Sequence, residues 1–148
     1  MGAVAFLPQL LSALGALFTA AGVGTVISGF VAGLVPEGAH FMACVIYCVG
    51  MALFTMIMGN GFAAFSVITV GVGIPFLINQ GANPAIVGAL GLTAGYCGTL
   101  LTPMAANFNI MPAALLETKG KYSIIKAQAP IAIVMLIIHI LLMYFWAF

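Results

Sequence analysis

The chain has 148 residues, of which 65% are hydrophobic and 3% are charged. A soluble domain needs about a quarter charged residues to cover its surface. With a mean hydropathy of +1.32, this composition indicates an integral membrane protein. Three basic and two acidic residues form no patch for nucleic acid, so that class of partner is excluded. We expect an all-α polytopic membrane protein with a single transmembrane domain over residues 1–148.

The first apolar segment, residues 10–34, precedes the helix-ending sequence Pro36-Glu37-Gly38. Because the amino terminus lacks the basic stretch of a secretory signal, we interpret it as the beginning of a span. Residues 1–36 are therefore predicted to contain the first spanning helix.

Two apolar segments, residues 41–58 and 62–79, are separated only by Gly59-Asn60-Gly61. This pattern predicts a helical hairpin over residues 40–80. Each arm is close to the lower limit of about 17 residues for a crossing, so a re-entrant hairpin and two short spans are both open; we favour the re-entrant form. The second arm is further interrupted at Gly71, Gly73 and Pro75.

A broken helix is predicted over residues 83–118. Asn83 is placed to cap its start, with Pro84 at the first helical position, where a missing N–H costs nothing. The helix is expected to reach Gly98 and to break at Pro103, which lacks a donor and clashes with the preceding turn. A short helix then resumes before the next loop.

The last span is predicted over residues 129–148, beginning near Pro130. All three lysines lie between the broken helix and this span, within residues 119–126. The positive-inside rule places that loop in the cytoplasm. The amino terminus is then also cytoplasmic and the carboxy terminus outside, in the cytoplasmic membrane of a bacterium.

The two polar, helix-breaking clusters are the candidate functional site. Irregular backbone at membrane depth persists only where it is buried in protein or lines a polar cavity. For the broken helix we favour a solute or cation site over side chains that merely satisfy the freed backbone; for the hairpin turn both interpretations stay open. The candidate residues are Gly59, Asn60, Gly61, Gly98, Thr99, Thr102, Pro103, Asn107 and Asn109.

Other reactive side chains suggest packing rather than chemistry. Cys44 and Cys48 share a helical face without further metal-binding residues nearby, and Cys97 has no base within reach in the sequence. His139, in the middle of the last span, is expected to make one interhelical hydrogen bond. With no paired carboxylates, metal motif or nucleophile–base pair, we do not expect an enzyme.

Residues 58–117, from MGNGFAAFSV to MPAALLE, closely resemble the carboxy-terminal half of a bacterial permease family known as one subunit of a 5-oxoproline transporter. The similarity runs over nearly the whole chain. More distantly, the order of hairpin, polar tip, restarted helix and Thr-Pro break resembles the second repeat of the superfamily of divalent-anion and sodium symporters. In those distant relatives the tip is often Ser-Asn-Thr, whereas here only Asn60 offers a side-chain ligand.

The resemblance implies that the hairpin tip and the broken helix hold the substrate and a coupling ion, with sodium at Thr99, Thr102 and Asn107 and no other cofactor. Inverted repeats need both halves to surround one site. We therefore expect a subunit or half of a secondary active transporter for a small carboxylate such as 5-oxoproline. Its expected partners are the lipid bilayer and a second hydrophobic subunit or a missing amino-terminal half, in an oligomer. The alternative is a channel or a non-transporting structural membrane subunit.

Overall fold

The computed structural model describes residues 13, 16–18, 20–33, 35–36, 38–117, 120 and 122–148. All regular structure within these residues is helical. The helices are α1 (Val23–Ala32), α2 (His40–Met58), α3 (Gly61–Ile68), α4 (Ile74–Phe76), α5 (Pro84–Leu101), α6 (Met111–Leu115) and α7 (Ser123–Ala147). Two π-helical segments, Thr69–Gly73 and Ala106–Ile110, and a 3₁₀ turn at Ile78–Gln80 complete the set.

Four of these stretches are long and apolar enough to cross a membrane. They are α2, which we call the first arm, the second arm Gly61–Gln80, helix α5 and helix α7. The predicted all-α membrane fold is therefore confirmed. Both arms have the length for a complete crossing, and the depth that their turn reaches in the bilayer stays a prediction.

The first arm and α5 run in the same direction, and α7 runs back beside them. At one end, the backbone N–H of Asn83 donates to the carbonyl of Ala147 at 2.9 Å, and the ring centroids of His40 and Phe148 are 4.2 Å apart. At the other end, the hairpin turn contacts the residues that follow α5. The 19 residues of α2 span about 28 Å, which is close to the thickness of a hydrocarbon core.

The hydrophobic core lies where the two arms, α5 and α7 meet. It includes fully buried Tyr47, Met51, Val87 and Met143. Helix α7, in contrast, exposes most of its apolar side chains, including Ile133. Exposed apolar side chains on a membrane-length helix suit contact with lipid or with another membrane helix.

The second arm bends where the sequence predicts an interruption. Its α-helix gives way to the π-helical segment Thr69–Gly73, which ends two residues before Pro75. Helix α1 crosses the arm here, and a Cβ on Gly71 would lie only 2.8 Å from the carbonyl oxygen of Gly24. Glycine is required at this crossing because the two backbones are in contact.

Helix α5 ends three residues later than predicted, at Leu101 instead of Gly98. Asn83 caps its start, as expected, by accepting the N–H of Ala85 at 3.0 Å. A glycine alone does not stop a helix; the stop comes from Pro103, which pushes Thr102 into extended backbone with φ −111° and ψ 137°.

Helix α7 begins at Ser123, seven residues before the predicted start at Pro130. The proline lies inside the helix, where it removes one backbone hydrogen bond. Spanning helices tolerate this. The helix therefore extends beyond the predicted span at its amino-terminal end, and the residue at which it enters the membrane stays a prediction. Within the predicted first span the structure gives α1, and residues 1–12, Glu37, Lys119 and Lys121 fall outside the described residues.

Candidate functional site

The hairpin tip, Gly59-Asn60-Gly61, is a short turn with a well-defined function in folding. Gly59 ends α2 in left-handed backbone, φ 70°, and its N–H donates to the carbonyl of Thr55 at 2.7 Å. Asn60 Oδ1 caps α3 by accepting the N–H groups of Phe62 at 2.8 Å and Ala63 at 3.4 Å. The Oδ1 of Asn60 therefore serves as a helix cap. Its Nδ2 donates to no group in the described part of the chain.

The tip and the break segment, residues 102–110, are in direct contact. A Cβ on Gly59 would lie 3.0 Å from the Cβ of Met104. The hydroxyl of Thr102 donates to the carbonyl of Met56, in the last turn of the first arm, at 2.8 Å. The two polar clusters that the sequence separates by some forty residues therefore form one region of the molecule.

Asn109 holds the broken backbone together. Its Nδ2 donates to the carbonyl of Thr99 at 2.9 Å and to that of Thr102 at 2.7 Å. These carbonyls end α5 and lack helical donors because the helix stops. To this extent, the side chains of the break satisfy freed backbone.

The side chain of Asn109 also contains an acceptor oxygen, Oδ1, that these hydrogen bonds do not use. Asn109 is only 2% exposed, and its Oδ1 has no hydrogen-bond partner among the described residues. A buried polar atom without a partner costs about 1–3 kcal/mol. The side chain of Asn109 thus satisfies backbone carbonyls through its Nδ2 and keeps an Oδ1 acceptor that no described residue uses.

The two threonines of the break hold their hydroxyl protons in backbone hydrogen bonds. Thr99 Oγ1 donates to the carbonyl of Tyr96 in its own helix at 2.6 Å, and Thr102 Oγ1 also accepts the N–H of Met104 at 3.3 Å. Both residues are buried. Their hydroxyl oxygens are oriented by these bonds, and a lone pair on Thr99 remains for a cation.

Glycines on α5 bring the first arm within backbone contact just before the break. A Cβ on Gly98 would overlap the carbonyl oxygen of Ala52 and lie 2.9 Å from its Cα. A Cβ on Gly95 would lie 3.3 Å from Thr55 Oγ1 and 3.8 Å from the Cα of Gly61. Gly98 therefore allows α5 to pack in backbone contact with the first arm. Its contribution to the predicted site is this packing.

Not every predicted site residue joins this region in the same way. Pro103 is exposed, and its contribution is the break itself. The side chain of Asn107, predicted to help bind sodium, lies outside the described residues. Sequence reasoning did not single out Thr55, which is fully buried beside the tip; a second hydroxyl in the first arm, besides that of Tyr47, was the available signal.

The remaining reactive side chains pack in the core. Cys44 and Cys48 are free and fully buried, and Cys48 Sγ donates to Met143 Sδ at 3.8 Å, in agreement with the predicted packing role. The interhelical hydrogen bond expected of His139 is wrong. Its Nδ1 lies 2.7 Å from the carbonyl of Met135, one turn earlier in the same helix.

Three aromatic rings contact one another near the tip. The ring of Tyr96 lies 6.1 Å from Phe62 and 6.1 Å from Phe108. Phe62 and Phe108 remain largely exposed. The rings link the start of the second arm to the break segment across α5.

The comparisons with known proteins identify a family but no characterised relative. No curated protein and no solved structure matches this chain. One family model, described as a protein of unknown function (DUF979), matches residues 1–148. Because the match covers the entire chain, this membrane protein belongs to the DUF979 family.

Proposed function

We propose that the chain is one half of a secondary active transporter for a small carboxylate such as 5-oxoproline, with its site between the tip and the break segment. The observation that carries this proposal is the buried Oδ1 of Asn109, without a partner among the described residues, beside the break that ends α5, a helix long and apolar enough to cross a membrane. Broken helices whose ends face a solute are the recurring device of secondary transporters.

Charge supports a site for an anion of low charge accompanied by a cation. Neither the tip nor residues 98–110 contain a charged side chain, so the site offers no partner for several negative charges. The Nδ2 of Asn60 presents two N–H donors, and the positive partial charge at the amino-terminal end of α3, where Asn60 Oδ1 already caps Phe62 and Ala63, adds to them. A single carboxylate matches these donors.

Acceptor oxygens support a companion sodium ion. The last turn of α5 and the break segment contain the hydroxyl oxygens of Thr99 and Thr102 and the Oδ1 of Asn109, all in buried residues. Hard monovalent cations bind such neutral oxygen ligands, and unwound backbone in transporters coordinates sodium in this manner. Asn107 remains a proposed additional ligand.

A second half is part of the proposal, because transporters of this architecture enclose their site between two repeats. We propose a second hydrophobic subunit, or an amino-terminal half, that faces the tip and break segment within an oligomer.

The test is uptake of labelled 5-oxoproline by cells that express the full-length chain with its second half. We expect saturable accumulation against a gradient, loss of uptake when choline replaces sodium, and weak competition by citrate. Uptake that only equilibrates would indicate a channel. Uptake that is indifferent to sodium but collapses with a protonophore would refute sodium coupling.

The proposed topology is tested independently. With Lys126→Cys in a background without other cysteines, an impermeant thiol reagent should not label intact cells. Labelling from outside would invert the proposed orientation, in which the lysine loop is cytoplasmic.

A further inference from the structure

Thr55 has the most unusual environment of any hydroxyl in the described part of the chain. It is 0% exposed, and its Oγ1 has no hydrogen-bond partner within the described residues. A threonine in a spanning helix ordinarily donates to a carbonyl one turn earlier. Thr93 and Thr99 do so, with distances of 2.9 Å to Ala89 and 2.6 Å to Tyr96.

The position of Thr55 places it at the proposed site. Its carbonyl accepts the N–H of Gly59 at the tip, so the residue lies one helical turn from Asn60. The neighbouring carbonyl, that of Met56, accepts the hydroxyl of Thr102 in the break segment. Thr55 therefore lies where the tip and the break meet.

Glycine backbone borders the hydroxyl on the side of α5. Gly95 is close enough that a Cβ on it would lie 3.3 Å from Thr55 Oγ1, and the same Cβ would lie 3.8 Å from the Cα of Gly61. Any side chain at position 95 would cover the hydroxyl. Because Gly95 has no side chain, its backbone and the terminal methyl group of Met51, 3.1 Å from the same Cβ position, border this space beside the start of α3.

We propose that the Thr55 hydroxyl is a further binding group of this site and donates a hydrogen bond to an oxygen of the carboxylate solute. Asn60 Nδ2 supplies a second donor, whereas Asn109 Oδ1, which can only accept, binds the companion cation. This inference rests on the proposed transport function and assigns its solute contacts to the hairpin and its cation contacts to the break segment.

The experiment compares Thr55→Val, Thr55→Ser and the control Thr93→Val in the complete transporter. Valine has the shape of threonine but no hydroxyl, and serine keeps the hydroxyl. The melting temperature of purified protein and the KM for 5-oxoproline at saturating sodium are measured for each variant.

We expect Thr55→Val to melt about 2 °C or more above the parent, because a buried hydroxyl without a partner is removed. Its KM should rise at least tenfold, with Thr55→Ser and Thr93→Val close to the parent. The sodium concentration for half-maximal uptake should change less than the KM.

Three results would overturn the inference while leaving transport intact. They are an unchanged KM for Thr55→Val, a lower melting temperature, which shows that the hydroxyl has a partner in the protein, and a change confined to the sodium dependence. A parent protein without any uptake of 5-oxoproline would instead refute the proposed function and this solute contact with it.

Discussion

Two spanning helices of this protein are interrupted, and the two interruptions are built differently. In the second arm, the π-helical segment Thr69–Gly73 packs in apolar surroundings, and its one hydroxyl pairs with the buried Tyr47 at 2.9 Å. After α5, the break segment contains polar side chains and leaves the buried Oδ1 of Asn109 without a described partner. Of these two interruptions, only the break segment keeps a buried acceptor without a partner among the described residues.

This difference separates a structural bend from a candidate binding site. The π-helical segment satisfies its polar groups and uses glycine to let helices touch, as Gly71 does against Gly24. We would expect a break with a purely structural role to satisfy its polar groups in the same way. The unsatisfied oxygen at Asn109 costs stability, and such a cost is typical of functional sites.

The largest effect is expected from Gly98→Ala, at the contact of α5 with the first arm. The new Cβ would overlap the carbonyl oxygen of Ala52, and backbone cannot move aside as a flexible side chain can. We expect more than about 4 kcal/mol of destabilisation and loss of monodisperse protein in size-exclusion chromatography.

Gly88→Ala is the matched control on the same helix. Its nearest neighbour would be Phe65 Cζ at 3.9 Å, an ordinary contact. Alanine should be neutral or stabilise by up to about 1 kcal/mol through helix propensity. Equal behaviour of the two variants would contradict the tight packing beside the break.

Asn109→Ala should produce the second largest effect. The carbonyls of Thr99 and Thr102 lose their donor, and each buried acceptor left alone costs about 1–3 kcal/mol. Part of this cost is offset because the unpartnered Oδ1 is removed as well. We expect a melting temperature lower by several degrees and no sodium-dependent uptake.

Asn79→Ala is the control for Asn109, because that asparagine is exposed near the end of the second arm. It should leave both melting temperature and uptake unchanged. If Asn109→Ala were as stable as Asn79→Ala, the two hydrogen bonds across the break would have no importance for the fold.

The sequence predicts this architecture well where local chemistry decides it. Asn83 followed by Pro84 begins a helix in any context, and Pro103 forces Thr102 out of helical backbone whatever surrounds it. The candidate break could be located for the same reason. Pro130 shows the limit, because a proline that looks like a boundary lies inside α7.

The contacts between distant segments could not be predicted in this way. The sequence around Thr102 does not indicate that its hydroxyl donates to the carbonyl of Met56. The sequence around Asn109 likewise does not indicate that its Nδ2 donates to a carbonyl of α5. Thr55 was missed for a related reason, since its isolation depends on Gly95 in another helix. Whether a buried polar group has a hydrogen-bond partner depends on how distant segments pack together.

Asn60 tests whether the tip binds solute or only caps a helix. Asn60→Ala removes the cap and should cost about 1 kcal/mol. Asn60→Ser keeps a capping oxygen but loses the free Nδ2, so we expect near-normal stability with uptake reduced at least tenfold. Asn83→Ser, at the other asparagine cap, should leave uptake unchanged. Normal uptake by Asn60→Ser would reduce the tip to a structural turn.

The smallest effect is expected at the π-helical segment, where the comparison predicts stability without function. Tyr47→Phe removes the hydroxyl that pairs with Thr69 and lies 3.5 Å from the carbonyl of Val87. The ring stays in the space that Gly73 and Gly91 provide. We expect a loss of about 1 kcal/mol and unchanged KM for 5-oxoproline.

Thr69→Val should cost a similar amount, because it leaves the buried hydroxyl of Tyr47 with only the longer bond to Val87. The double variant should cost less than the sum of the two, since it removes both hydroxyls together instead of leaving either one alone. Chemical unfolding of the parent and the three variants measures this coupling. Strictly additive losses would show that the two hydroxyls do not pair, and a raised KM in Tyr47→Phe would show that this bend, too, takes part in binding. If uptake does not depend on the Tyr47–Thr69 pair, the break segment is the interruption that takes part in transport.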